Sequence, residues 1–208
     1  MPPQKKESEE KLKRLFKRVM AACRKAPSLK GNRVVFGAGG VSSRLMVVGE
    51  APGRTETMEG IPFVGRSGAF LTLILEEVFK KKRDEFYITN VVKIWPTIDT
   101  KRLKTRKPSK AEEKFFLPFL YEEIRIVKPG VILAVGVTAF NALCPEEEFK
   151  RGVWFKGPGE IPLMAVYHPS YILRKQRSLD ENTAELKAAL GKVKIKLSAR
   201  VKTGSRPL

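Results

Sequence analysis

The chain has 208 residues, 42% of them hydrophobic and 30% charged, enough apolar material for one well-filled core beneath a charged surface. Forty-one Lys and Arg against 22 Asp and Glu leave a formal net charge of +19, which points to a polyanionic partner, nucleic acid before any other. Two cysteines are too few for a disulfide scaffold, no apolar run approaches a membrane span, and the N-terminal stretch lacks the apolar centre of a secretion signal, so a cytoplasmic setting is expected.

Residues 1–10 are polar and a flexible start is expected there. Leu12, Leu15, Phe16 and Val19 recur at helical spacing with basic residues opposite, which predicts a helix over about 8–20. An irregular stretch containing Pro27, Gly31, Gly37, Gly39 and Gly40 follows, over 23–43. Leu45, Met46, Val47 and Val48 form an apolar run of the length of a buried parallel strand. The Gly- and Pro-rich loop after it carries Glu50, Glu56 and Phe63, and leads into a helix expected over about 68–79. Ligands of open α/β sheets bind outside the carboxyl ends of strands, so this loop is the first candidate site. It contains neither a dinucleotide fingerprint nor a Walker phosphate loop.

A second buried strand is expected over 86–92, emptying into a loop over 95–108 that carries Lys101, Arg102, Lys104, Arg106 and Lys107. Ser109 and Glu112 form a capping box, so a helix should run from there to about 127. After the Pro129-Gly130 turn a third strand spans 131–135, and a short helix begins at 136–139. A hairpin or loop covers 154–162, and a fourth strand, 163–167, ends at His168-Pro169-Ser170. The last helix is expected over about 179–190, followed from 192 by a basic tail taken as flexible. Four apolar strands separated by helical patterns predict one domain, 1–208, of three α/β/α layers around a four-stranded, mainly parallel sheet.

Four blocks now stand in order at predicted strand ends: Gly49-Glu50-Ala51-Pro52-Gly53, Gly60-Ile61-Pro62-Phe63-Val64-Gly65-Arg66, Ile88-Thr89-Asn90-Val91-Val92-Lys93 and His168-Pro169-Ser170-Tyr171-Ile172-Leu173-Arg174. Together they resemble the family-four uracil-DNA glycosylases over most of the chain. The resemblance implies a sheet of order 2-1-3-4 and hydrolysis of the bond between uracil and deoxyribose after the base leaves the DNA stack. It implies catalytic roles for Glu50, Glu56 and His168, and a base pocket of Ala51, Phe63 and Asn90. Arg66 and Ser67, at a helix start, and Ser170, Tyr171, Ile172, Leu173 and Arg174, as a loop wedged into the minor groove, are the implied DNA contacts.

The residue types suit that chemistry in their own right. Breaking an N-glycosidic bond builds positive charge on the sugar and negative charge on the base, and the base must first be extruded. Phe63 offers a flat stacking face. The Asn90 amide offers one acceptor and two donors, enough to match uracil N3–H and O4 and to reject cytosine. His168, the only histidine, can donate to the developing base anion, and a carboxylate can serve the sugar side. Ala51 and Gly53 stand where better-known uracil glycosylases carry a water-activating aspartate and a thymine-blocking tyrosine, so those roles are filled otherwise.

The family also implies a four-iron four-sulfur cluster on four cysteines. Cys23 matches the first ligand position, but Ala26, Ile94 and Phe116 occupy the other three, and Cys144 matches none. No cluster or other cofactor is therefore expected, and the apolar substitutes should pack against residues 23–43 instead. The expected partner is uracil-containing DNA, met by a monomer with no membrane association, in the cytoplasm and at the nucleoid if the source is prokaryotic. Rival expectations are a glycosylase for another deaminated base such as hypoxanthine, or a DNA-binding relative without catalysis.

Overall fold

The computed structural model describes residues 3–98 and 104–202; Lys101 and Arg102 of the basic loop lie outside the described residues. The sheet forms where apolar runs leave no polar face. Strands β1 (Ala38–Gly39), β2 (Leu45–Gly49), β3 (Tyr87–Asn90), β4 (Val131–Val135), β5 (Trp154–Lys156) and β6 (Pro162–Val166) lie in the order β1-β3-β2-β4-β6-β5. The inner four, β3-β2-β4-β6, are parallel and reproduce the expected 2-1-3-4 order. Two short antiparallel edge strands enlarge the four-stranded expectation: β1 pairs with β3, and β5 forms a hairpin with β6. Every residue of β2, β3 and β4 is buried, as a parallel strand covered on both faces requires.

Helices α1 (Pro3–Lys25), α4 (Lys110–Val127) and α5 (Val137–Leu143) cover one face, contributing Leu15, Val19, Phe116, Leu120 and Phe140 to its core. Helices α3 (Arg66–Phe79), α6 (Pro169–Arg174) and α7 (Leu179–Lys202) cover the other, with Leu71, Leu75, Ile172, Leu190 and Val193. The short α2 (Arg54–Glu59) interrupts the loop after β2. The capping box of α4 forms as expected, Ser109 Oγ accepting from Glu112 N–H at 3.2 Å. Arg106 locks it with a bidentate pair to Glu112, both distances 2.7 Å, holding that carboxyl at about 2.

Both terminal helices run further than the helices expected from the sequence, and residues 1–2 and 203–208 lie outside the described residues. α1 starts at Pro3 and carries its apolar stripe on to Cys23. α7 continues through Gly191 because Val193 and Leu197 keep facing the core and Arg44 donates to the Leu197 carbonyl at 2.8 Å. Among the described residues, no helix is long and apolar enough to cross a membrane.

Candidate active site

The four parallel strands all point their carboxyl ends at one edge of the sheet, and each delivers a polar group there. Asn90 ends β3 opposite Gly49 at the end of β2. A Cβ on Gly49 would lie 2.5 Å from Asn90 Oδ1 and equally close to the Phe63 ring, so only glycine lets both groups crowd against the strand. His168 follows β6 and its ring centroid is 6.1 Å from that of Phe63. Gly136, after β4, has a φ of 92°, which strains any other residue, and an added Cβ would stand 3.1 Å from the His168 Cβ. Phe63, Asn90 and His168, far apart in sequence, thus gather at one end of the sheet.

Asn90 is almost wholly buried, yet its Oδ1 has no hydrogen-bond partner among the described residues. Such an orphaned acceptor is costly unless a ligand supplies the donor. Phe63 has a left-handed backbone, φ 55°, a strained state for a bulky residue that surrounding bonds must enforce. The Arg83 guanidinium donates to the Pro62 carbonyl on one side. On the other, the Glu56 carboxylate accepts from Val64 N–H at 3.1 Å, Gly65 N–H at 2.8 Å and Gly53 N–H at 3.1 Å. Glu56 Oε1 therefore holds the turn after Phe63, while Oε2 caps α2 on Gly53.

Glu50, directly after β2, is half-exposed, and one of its oxygens accepts from Thr138 Oγ1 in α5 at 2.5 Å. Thr138 was not singled out by sequence reasoning; its signal would have been a hydroxyl just past the third strand's end. Ala51 is half-buried next to Glu50.

His168 caps α6. Its Nδ1 accepts from Ser170 N–H at 3.2 Å and lies 2.8 Å from Ser170 Oγ. Because a backbone N–H can only donate, Nδ1 carries the lone pair and the neutral ring's proton sits on Nε2. Burial, then the Arg174 charge, push the imidazole down to about 4, partly opposed by Glu56. The ring is thus a neutral donor throughout the physiological range. Folding favours the uncharged ring, so this group's contribution to stability is intact above about 6.5 and erodes as pH falls from there towards 4, where the unfolded chain takes the proton first. With one histidine in the chain, its imidazole NMR signals should titrate with a midpoint near 4 rather than near 6.5; a midpoint at 6.5 would show the ring solvated.

The remaining predicted DNA contacts divide. Arg66 and Tyr171 are exposed, as is Arg174, while Ser67, Ser170 and Leu173 are half-buried. Tyr171 packs on Tyr167, ring centroids 4.7 Å apart. Ile172 is 1% exposed and packs in the core under α6. Ser170 is engaged by His168, which explains its place in the motif better than DNA contact does.

The model of the uracil DNA glycosylase superfamily matches residues 36–194, most of the chain and every strand end of the recess. The chain belongs to that superfamily. It is 34% identical to the type-4 uracil-DNA glycosylase of Thermotoga maritima over 81% of this chain and 87% of that protein. It is 35% identical to the type-4 enzyme of Pyrobaculum aerophilum, over 74% and 80%. For the Archaeoglobus fulgidus type-4 enzyme the figures are 30%, over 82% and 87%.

An iron–sulfur cluster of the kind implied by the family-four resemblance does not fit the residues present. Cys23, Ile94 and Phe116 are buried in one apolar cluster with Leu29, and Ala26, Val34 and Phe36 pack against it. Burial pushes the Cys23 thiol up to about 11, away from the thiolate a metal needs. Cys144 caps α5, its thiol directed to the Lys156 carbonyl at 3.6 Å. Among the described residues, no group of three or more His, Cys, Asp and Glu side chains could hold a metal ion.

Proposed function

We propose that this superfamily member is a monofunctional uracil-DNA glycosylase of DNA repair that works without an iron–sulfur cluster. The orphaned Asn90 Oδ1, beside Phe63 and His168, is the observation that carries the reading. An extruded uracil stacks on Phe63. Its N3–H donates to Asn90 Oδ1, and Asn90 Nδ2 donates to its O4. The neutral His168 donates Nε2–H to O2 as the bond between N1 and C1′ lengthens and the base departs as an anion. Glu50, held by Thr138, stabilises the sugar cation and orients the water that adds to C1′, taking its proton. Glu56 positions the Phe63 loop, and Arg66, Tyr171, Leu173 and Arg174 meet the DNA. The superfamily match and the type-4 relatives support this substrate and reaction.

Water as the nucleophile leaves an abasic site in an intact strand. An oligonucleotide carrying one uracil should therefore stay full length after incubation and break at that position only on alkali treatment. Breaks before alkali would mean a lyase, and none after it would remove the activity. The partner is uracil-containing DNA, met by a monomer in a reducing cytoplasm where Cys23 and Cys144 stay free.

The apolar packing of Ile94 and Phe116 supports the cluster-free reading. The purified protein should be colourless and iron-free, and Phe116→Ala should cost about 3–5 kcal/mol of stability as a core truncation. Brown protein with stoichiometric iron, or an unchanged melting temperature in that variant, would count against it.

A further inference from the structure

Beneath the recess lies a charged pair that neither the base contacts nor the water step employs. Lys93 and Glu123 are both fully buried. The Lys93 ammonium spends its three protons on Thr89 Oγ1, the Asn90 carbonyl and Glu123 Oε2, each at 2.7 Å. Thr89 Oγ1 donates to the same Glu123 oxygen at 2.9 Å, and the Phe36 ring covers the ammonium with its centroid 5.6 Å away. Glu123 comes from α4, on the apolar stripe of Phe116, Leu120, Ile124 and Val127.

Stability does not account for such a pair. Two charges withdrawn from water recover their desolvation only with ideal geometry, and apolar replacements of similar volume are often neutral or stabilising. What the pair does hold is local. Just past β3, Val91 N–H donates to the Gly49 carbonyl at 2.8 Å and Val92 N–H to the Glu50 carbonyl at 3.0 Å. Lys93 closes this turn from below on the Asn90 carbonyl. The peptide bearing the base-reading amide is therefore fixed from both sides, while the amide's own Oδ1 is left free.

We propose that the buried Lys93–Glu123 pair positions Asn90 for base recognition, clamping its carbonyl so that the amide stands in its reading orientation before uracil enters. This rests on Asn90 reading the base edge. The pair touches neither substrate nor reacting atoms; it acts through Asn90, and a rigid turn supplies what a freely rocking asparagine would lose in misaligned encounters.

The test uses the double variant Lys93→Met/Glu123→Leu, which removes both charges at similar volume, in single-turnover excision of uracil. The melting temperature should hold or rise. The single-turnover rate should fall about 10–10²-fold, with KM for uracil-containing DNA little changed, since a misplaced reading group costs the transition state and not the DNA contacts. The same double change in an Asn90→Ala background should cost less than about threefold, because residues acting through one group are not additive. A full rate in the double variant, or an equal fold-loss in both backgrounds, overturns the proposal and leaves Asn90 in the pocket. Wild-type excision by Asn90→Ala alone would instead remove the reading on which it rests. Should the double variant not fold, Glu123→Gln, which keeps the shape and strips the charge, carries the same comparison.

Discussion

His168→Ala should lower the rate of uracil excision by about 10²–10³-fold with little change in KM, since a donor aimed at charge that develops only in the transition state contributes little to ground-state binding. The geometry gives the prediction a second arm. The Nε2 proton is fixed by the Ser170 N–H on Nδ1, so the donor is present without any protonation step. A base whose anion is more stable, such as 5-fluorouracil, needs less help from it. The variant should lose less on 5-fluorouracil than on uracil, and equal losses on both bases would place the imidazole's role elsewhere. Removing the ring also deletes the cap of α6, about 1 kcal/mol by comparison with other caps, so a small fall in melting temperature is expected beside the large kinetic effect.

Asn90→Asp should lower excision of uracil by at least about 10²-fold, the cost of leaving a buried polar group unmatched. The substitution puts a carboxyl oxygen where the Nδ2 donor faces O4, and that oxygen accepts whenever the proton is absent or on the oxygen facing N3. Burial at this position favours the protonated acid, which can accept from the exocyclic amine of cytosine and donate to its N3. Cytosine, refused by the amide, should therefore become a measurable substrate. An unchanged uracil rate would take Asn90 out of the pocket. Loss of uracil activity without any gain on cytosine would mean that the recess selects bases by shape as well as by pairing.

What the sequence made legible follows from which interactions are local. The four parallel strands lie within short apolar or β-branched runs, and the start of α4 is written in Ser109 and Glu112, so both could be read directly. Phe63, Asn90 and His168 were legible through their motif blocks, and the sheet order places those blocks together. Other features depend on partners far along the chain. Thr138 meets Glu50 across 88 positions, and Lys93 meets Glu123 across 30, so neither pairing leaves a local pattern. β1 is two residues long and exists only because β3 offers it an edge. That Ile172 faces the core was not legible either, because a motif fixes spacing along the chain and not the direction a residue faces once α6 forms. Gly191 reads as a helix end, yet with open space where a Cβ would stand and apolar residues beyond, the helix passes straight through.

The hydrocarbon corner formed by Cys23, Leu29, Ile94 and Phe116 bears on where such a protein can work. A fold that is completed by a bound group gains stability with the logarithm of that group's free concentration, and loses it when supply fails. Here that corner is completed by side chains the ribosome itself supplies. On the cluster-free reading proposed above, its integrity should be independent of iron supply and of cluster assembly. On that reading the protein should survive purification in air, chelator and mild oxidant with its excision activity intact.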